Sequence, residues 1–353
     1  FFRTKEFLWQ EGHTAHRDEE GAWDETMTRL EQYERLYEDV LAIPPLTGRK
    51  PPHDKFPGAH TTTTVEALMP DGKSVQGATS HYLGTSFGEA FDITYIDEDE
   101  DEQTAHTTSW GLSWRAMGAL NMTHSDDQGL VLPPTLAPEQ VVIVPIWDED
   151  TQTEVLQYAE EIEETLDEAG IRVHLDDREN RNPGFKYNEW ELKGVPLRIE
   201  VGPNELADGT ATLVHRPDGE TATVDAGSLG ETAANDADSP GETGPAGDGA
   251  LGETVADHLD TIYAKLYASA EATLDGEIRE AGSREEILGT IGKHGGYVRA
   301  GWCGDEDCED PIKDAIAAEI VMVPLDEAES PVQDTCAICG EDARETAYFA
   351  KTY

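Results

Sequence analysis

The sequence predicts a multidomain chain that combines α/β and α+β parts, and three observations predict it. Residues 61–70 (TTTTVEALMP) and 92–97 (DITYID) are rich in β-branched and aromatic side chains, as strands are, and they follow a long amphipathic helical pattern. Residues 141–216 alternate strand-like and helix-like periodicity at short intervals, the pattern of a mixed sheet with helices packed on it. All four cysteines lie beyond residue 300, in a compact terminal module. With 353 residues the chain has length for two or three domains with real cores.

Taken in order, RTKEFLWQEGHTAH (3–16) alternates side chains in period two. As a strand it puts Phe7, Trp9, Glu11 and His13 on one face and Leu8, Gln10 and Gly12 on the other. An aromatic ring, a carboxylate and an imidazole on one wall suit a small ligand with an apolar ring and a cationic nitrogen. A packed, half-buried face is the alternative that the residues leave open. Residues 19–41 form an amphipathic helix with Trp23, Met27, Leu30, Tyr33 and Tyr37 at three- and four-residue spacing, and the proline-rich stretch 43–60 ends it. In QGATSHYLG (76–84), Gly77 and Gly84 permit close approach of the backbone to a ligand beside Gln76, Thr79 and His81. DEDEDEQ (97–103) is a solvated loop. Residues 110–120 read as an apolar-rich helix with one charge, Arg115, whose anionic partner is either a structural carboxylate or a bound anion. GLVLPPTLAP (129–138) closes this first domain.

VVIVPI (141–146) is a buried strand, 153–169 a helix, and 171–176, 195–202 and 211–216 are further strands. Residues 226–252 hold almost no large apolar side chain and are expected to form a disordered acidic insert. Helices resume at 253–275 and 283–293. The Cys303-x4-Cys308 and Cys336-x2-Cys339 pairs fit a tetrahedral four-thiolate zinc site, with two disulfides as the alternative. Four protein thiolates leave no open position for substrate, so such zinc is structural.

Asp plus Glu number 74 against 25 Lys plus Arg, a net charge of −49. Such an excess either argues against a nucleic-acid partner or marks a surface that works where salt screens its self-repulsion. The acid is spread over every part of the chain, so we read a halophile's solvated coat. No secretory signal is evident, and the longest apolar run is only strand length. A cytoplasmic protein is expected, with neither a membrane nor DNA as partner.

Several of these segments together resemble one family. RTKEFLWQEGHTAH is similar to the second half of motif 2 of a class II aminoacyl-tRNA synthetase, specifically prolyl-tRNA synthetase of the archaeal/eukaryotic type. KFPGA (55–59), QGATSHYLG, SWGLSWRAMGAL (109–120), GLVLPPTLAP and the four-cysteine tail ending in Tyr353 keep that family's order. The resemblance implies a partial class II catalytic domain built on an antiparallel sheet (1–138). It also implies an α/β anticodon-binding domain (139–225), the acidic insert (226–252) and a small α/β zinc-binding-like domain (253–353). It implies proline–tRNA ligase activity: ATP with Mg2+ activates L-proline, and the prolyl group passes to tRNA(Pro). Arg3 and Arg115 would be catalytic. Trp9, Glu11, His13, Phe56 and His81 would surround proline, and Arg3, Thr4, Gln76, Thr79 and Arg115 would meet ATP. Glu191 and Arg198 would read anticodon guanines, Cys303, Cys308, Cys336 and Cys339 would hold structural Zn2+, and Tyr353 would point its carboxylate toward the catalytic domain. Trp114 departs from the family, which carries Thr or Ser there.

The resemblance further implies a homodimer and a chain that is the C-terminal portion of a longer protein, inactive by itself. Motif 1, the first half of motif 2 and the Thr-x-Glu loop would precede Phe1. The competing reading is a catalytically silent tRNA- or zinc-binding paralogue that keeps the fold.

The charge yields a direct test. The Debye length falls from ~30 Å at 0.01 M salt to ~3 Å at 1 M, so screening strengthens and self-repulsion fades over that range. The thermal midpoint should rise steadily from low salt into the molar range, measured by circular dichroism; a maximum near ~0.1 M salt would refute the halophile reading.

Overall fold

In the computed structural model the chain divides into two units, Phe1–Thr123 with Ser269–Tyr353 and His124–Ala268. The structure describes residues 2–227, 249–325 and 331–353. The first unit opens with β1 (Trp9–His16), which starts at Trp9 where a strand from Arg3 was expected. Helix α1 (Glu19–Arg35) follows, its N-terminus capped by Asp18, which accepts the Gly21 N–H at 2.9 Å. A single wider turn, Leu36–Val40, ends it with Tyr37 buried. Strands β2 (Leu46–Arg49), β3 (Thr61–Leu68) and β4 (Lys73–Gly84) form an antiparallel meander. A short helix α2 (Ser86–Phe91) leads into the small hairpin β5 (Thr94–Ile96) and β6 (Glu102–Thr104), whose turn carries most of the acidic run.

Strand β7 (His106–Ser113) and helix α3 (Arg115–His124) correct the helix expected over 110–120. Ser109, Gly111 and Ser113 alternate with Trp110 and Leu112, a period-two pattern that suits a strand paired on both edges. β7 pairs antiparallel with β1 on one side and β4 on the other, and helix begins only at Arg115.

The middle unit is a five-stranded sheet in the order β12 (Thr221–Asp225), β11 (Thr210–His215), β10 (Leu197–Val201), β8 (Val141–Pro145) and β9 (Val173–Leu175). In chain order its elements are β8, α4 (Gln152–Glu168), β9, α5 (Pro183–Lys193), β10, α6 (Pro203–Asp208), β11 and β12. β9, β8 and β10 run parallel, as expected when helices carry the crossovers. Val155, Ile162 and Leu166 of α4 are buried, as are Val142, Val144 and Trp190 on the side of α5. The expected acidic insert falls largely on 228–248, outside the described residues.

Helix α7 (Gly249–Glu277) leads back into the first unit, where β13 (Ile278–Glu280), α8 (Arg284–His294), β14 (Tyr297–Trp302), α9 (Asp310–Ile316), β15 (Ala318–Met322) and β16 (Glu345–Thr352) complete a nine-stranded sheet. β16 is the link. It pairs antiparallel with β14 and β15, and parallel with β4 at Lys351↔Lys73 and Thr352↔Ser74. Under this seam Glu66 accepts from Ser74 and Thr64 at 2.7 and 2.8 Å and from the Lys50 ammonium at 2.8 Å, while Ser74 lies 2.9 Å from the Tyr297 hydroxyl. Among the described residues no helix is long and apolar enough to cross a membrane.

The close pairing of β1 and β7 depends on one missing side chain. A Cβ at Gly12 would stand 2.3 Å from the Trp110 ring, which is itself covered by the Arg29 guanidinium of α1 at 4.5 Å. Gly12→Ala should therefore cost about 1–3 kcal/mol by overpacking. Gly289→Ala in α8, where a Cβ meets nothing within 4 Å, should lose no stability. Thermal denaturation of the two variants in molar salt checks the contrast.

Candidate active site

The site grows from register. Across β1, β7 and β4 the pairings align Glu11, Gly111 and Thr79 in one row and His13, Ser109 and His81 in the next, with Trp9 opposite Ser113. Residues in one row point to one face of the sheet, so the outer strands raise side chains while the middle strand contributes only Gly and Ser. That difference makes a trough. It is the floor of a cavity of about 670 Å³ whose lining includes Trp9, Glu11, His13, Phe56 and His81. Phe87, Phe91 and Ile93, on and just after α2, form its apolar outer wall.

Within this cavity Glu11 accepts from or faces His13 Nε2 at 2.9 Å. Thr62 ties the proline-rich loop to β4: its hydroxyl oxygen accepts the Phe56 main-chain N–H at 2.9 Å and lies 2.9 Å from His81 Nδ1. The Phe56 and His81 rings are 4.9 Å apart. Burial lowers the His81 pKa to about 4, with His13 adding to the shift. His81 is therefore a neutral hydrogen-bonding wall near pH 7, and it adds no positive charge to a site that faces Glu11.

A second cavity of about 320 Å³ shares Trp9, Thr79 and Gly111 with the first. Arg3, Thr4, Gln76, Thr79 and Arg115 all line it, and so does Trp114. Arg115 stands at the first position of α3, half-buried, its Nε donating to the Phe2 carbonyl at 3.2 Å. Arg3 donates to the main-chain oxygen of Tyr353, whose ring packs 4.7 Å from that of Phe2. The end of β16 thus reaches the same cavity. Gly77 lines this cavity too. A Cβ at Gly77 would lie 2.4 Å from the Tyr37 hydroxyl, so this glycine makes room for a buried tyrosine; Gly84 is needed for its left-handed backbone, φ +63°.

The four cysteines converge although their two pairs are far apart in sequence. Their sulfurs all lie within 4.8 Å of one another, with Cys303 Sγ 3.5 Å from Cys308 Sγ and 3.7 Å from Cys339 Sγ. A tetrahedron of Zn–S bonds of about 2.3 Å has edges of about 3.8 Å, whereas a disulfide needs about 2.05 Å. The donor set fits zinc and not two disulfides. Burial opposes the Cys336 thiolate, yet the main-chain N–H groups of Cys339 and Ile338 outweigh it and lower its pKa.

In the middle unit Glu191 on α5 and Arg198 on β10 line a cavity of about 260 Å³. Arg198 donates to Glu191 at 2.9 Å and to Glu200 at 2.9 Å, and its guanidinium lies 4.1 Å over the Tyr187 ring. Arg216 closes the same cavity, held by both oxygens of Asp126 at 2.7 and 2.8 Å.

Comparison with known proteins assigns these parts. Residues 1–124 match the tRNA synthetase class II core domain (G, H, P, S and T), 140–235 an anticodon binding domain, and 284–353 the C-terminal domain of prolyl-tRNA synthetase. The whole chain is 74% identical to the proline–tRNA ligase of Haloarcula marismortui, spanning 68% of it. It is 68% identical to that of Natronomonas pharaonis and 42% to that of Cenarchaeum symbiosum, spanning 68% and 69% of them. The chain belongs to the proline–tRNA ligases. Relatives from salt-loving archaea also agree with the halophilic source read from the charge.

As a proline–tRNA ligase family member the chain has the domains of a class II synthetase, a group that uses ATP and Mg2+. Its expected site residues gather into three cavities and one cysteine cluster. Ser109 and Gly111 were missed as the cavity floor. Their alternation in SWGLSWR carried the signal, which the helical reading of 110–120 hid. Thr62, Phe87 and Ile93 had no local signal, because only the fold brings them to the cavity.

His81 makes the pocket's stability depend on pH. Its folded pKa lies below the unfolded value of about 6.5, so between pH 6.5 and 4 the unfolded chain binds a proton that the folded one does not. Stability from this group is present above about pH 6.5 and is lost as pH falls toward 4, at most on the order of 3 kcal/mol. Denaturant titrations from pH 7 to 4 should show a smaller loss for His81→Gln than for the unsubstituted chain.

Proposed function

We propose that the chain carries the proline, ATP and anticodon sites of a proline–tRNA ligase, divided as a catalytic part (1–138), an anticodon-binding part (139–225) and a zinc-bearing terminal part (253–353). The observation that carries this reading is the pair of adjoining cavities. One gathers Trp9, Glu11, His13, Phe56 and His81, the other Arg3, Thr4, Gln76 and Arg115, with Thr79 and Trp9 on the border between them. Two reactants bound in adjoining spaces are held for one attack, which is where alignment lowers a barrier.

In the first step a proline carboxylate oxygen attacks the α-phosphorus of ATP, which enters as its magnesium complex. The bond to the bridging oxygen breaks and pyrophosphate leaves. Trp9 and Phe56 cover the apolar ring, Glu11 complements the ring's ammonium, and neutral His81 does not repel it. Arg3 and Arg115 offset the negative charge that grows on the phosphate oxygens. In the second step a hydroxyl of the tRNA's terminal ribose attacks the prolyl carbonyl carbon and AMP departs. Trp114 narrows the nucleotide end where a small residue is usual. An apolar cavity of about 670 Å³ cannot strongly exclude amino acids smaller than proline. Glu191 and Arg198 contact anticodon guanines at short range, which suits a chain whose long-range field repels RNA. The reaction belongs to the cytoplasm and to a homodimer.

Zinc held by Cys303, Cys308, Cys336 and Cys339 supplies only a structural cross-link between the ends of β14 and the loop before β16. Its support is the donor set and the sulfur spacing.

Two experiments follow. In a protein of the relatives' full length, Trp9→Ala should raise KM for proline roughly four- to fifteenfold. A partly exposed ring contributes less than the roughly 1.5–3 kcal/mol of full burial, and Trp9 is 55% exposed before ligand covers it. Arg115→Ala should instead lower kcat by roughly a hundredfold or more. Proline-dependent pyrophosphate exchange measures both, and wild-type rates in the two variants would overturn the assignment. For the cysteines, elemental analysis should return about one zinc per chain, and chelation should lower the thermal midpoint. Cys336→Ser should lose the metal.

A further inference from the structure

Helix α5 carries two arginine–aromatic stacks, and only one of them belongs to the cavity of Glu191. Arg198 over Tyr187 is tied down by Glu191 and Glu200. The other is Arg181 over Phe185, with the guanidinium 4.5 Å from the ring centroid. Both of its members are exposed, and Phe185 keeps 44% of its surface in solvent. Among the described residues Arg181 forms no ion pair, whereas Arg178, Lys186, Lys193, Arg198 and Arg216 of this unit are each paired with a carboxylate. Arg172 of this unit also lacks a carboxylate, but its guanidinium donates to the main-chain oxygens of Ala137, Pro134 and Thr135, so among the described residues Arg181 is the arginine of this unit held by neither a carboxylate nor a carbonyl.

The stack is held rigid by its own turn. Asn182 caps α5, accepting the Phe185 N–H on its side-chain oxygen at 2.8 Å, and Pro183 follows at the first helical position. Arg181 precedes the cap and Phe185 lies at its third helical residue, so the cap fixes one opposite the other. Phe185, Asn188 and Leu192 recur at three- and four-residue spacing along one exposed face, which adjoins Glu191. An exposed apolar ring with a cation on it, beside hydrogen-bonding side chains, is the chemistry that binds an unpaired RNA base: the ring stacks the base and the arginine meets phosphate or base.

We propose that Arg181 and Phe185 form a stacking platform for an unpaired anticodon-loop base next to those that Glu191 and Arg198 contact. The platform extends the anticodon-binding part of the function proposed above and rests on it. It recognises a base by its face, so it contributes affinity and orientation with little sequence preference, and the carboxylate-tied Arg198 provides the discrimination.

The test uses this chain with a tRNA(Pro) anticodon stem–loop RNA carrying 2-aminopurine in turn at each loop position, titrated in 2 M KCl. At one position the fluorescence should be quenched on binding. Phe185→Ala should abolish that quench and raise Kd roughly tenfold. Phe185→Trp should restore both, and Arg181→Ala should weaken binding severalfold. Because Phe185 is exposed, the thermal midpoint should not move. Should Phe185→Ala bind and quench as the unsubstituted chain does while Glu191→Ala weakens binding, the platform is wrong and the anticodon reading stands. Should the unsubstituted chain fail to bind the stem–loop, or Glu191→Ala and Arg198→Ala bind it unchanged, the anticodon reading itself fails and the platform falls with it.

Discussion

Everything at the candidate active site depends on the register of β7 between β1 and β4. Because side chains alternate with period two, a slip of one residue would turn Trp110 and Leu112 toward the cavity and send Ser109 and Gly111 into the packed face. Trp110 prevents this. Its ring fills the space left by the missing Gly12 side chain and lies under Arg29, so only one register places a large aromatic where α1 can cover it. The packed face therefore sets the alignment, and the cavity face inherits it. The floor of small residues is a consequence of that alignment, flanked by Glu11 and His13 on one strand and Thr79 and His81 on the other.

The cysteine-bearing module is part of the same sheet, not an appendage. β16 runs from the cysteine cluster to β4, and its end holds Arg3 through Tyr353. Beneath it the Lys50–Glu66 pair is almost wholly buried. Burial works against the Lys50 ammonium, but Glu66 and Asp54 outweigh it and raise its pKa. Such a pair contributes little net stability compared with an apolar replacement, yet losing one partner leaves a buried charge. Its value here is placement. Glu66 collects Lys50, Thr64 and Ser74, and Ser74 reaches Tyr297, so a single carboxylate connects the loop after β2, the β3–β4 pair and β14.

Charge is handled on two length scales. Over long range the chain is strongly acidic and relies on salt for screening. At short range most basic side chains of the middle unit are enclosed by carboxylates, with Asp176 alone engaging Arg178, Lys186 and the Trp190 N–H. Those bonds hold Asp176 ionised, its pKa lowered against the burial that opposes it, and they anchor α5 to the sheet. Glu191 and Arg198 are thereby presented on a rigid helix and strand, where geometry rather than net charge governs what they can bind.

What the sequence determined by itself was whatever lies within a few residues. The alternation of WQEGHTAH, the helical stripe of α1, the strand–helix rhythm of 141–216 and the cysteine spacings are local patterns, and each can be read without knowing its neighbours. The tertiary structure decided the rest. Residues 110–113 read as helical because they open an apolar-rich stretch that runs to Leu120 with one charge, and pairing on both edges makes them a strand. Gly77 lines a cavity, as its neighbours in the chain suggest, but only the fold shows that Tyr37 fills the space its side chain would need. Thr62 is an ordinary strand threonine until the fold brings Phe56 and His81 to its hydroxyl. Contacts between residues distant in the chain leave no local periodicity, so the walls of the cavities, their shared border and the depressed pKa of His81 exist only in the folded molecule.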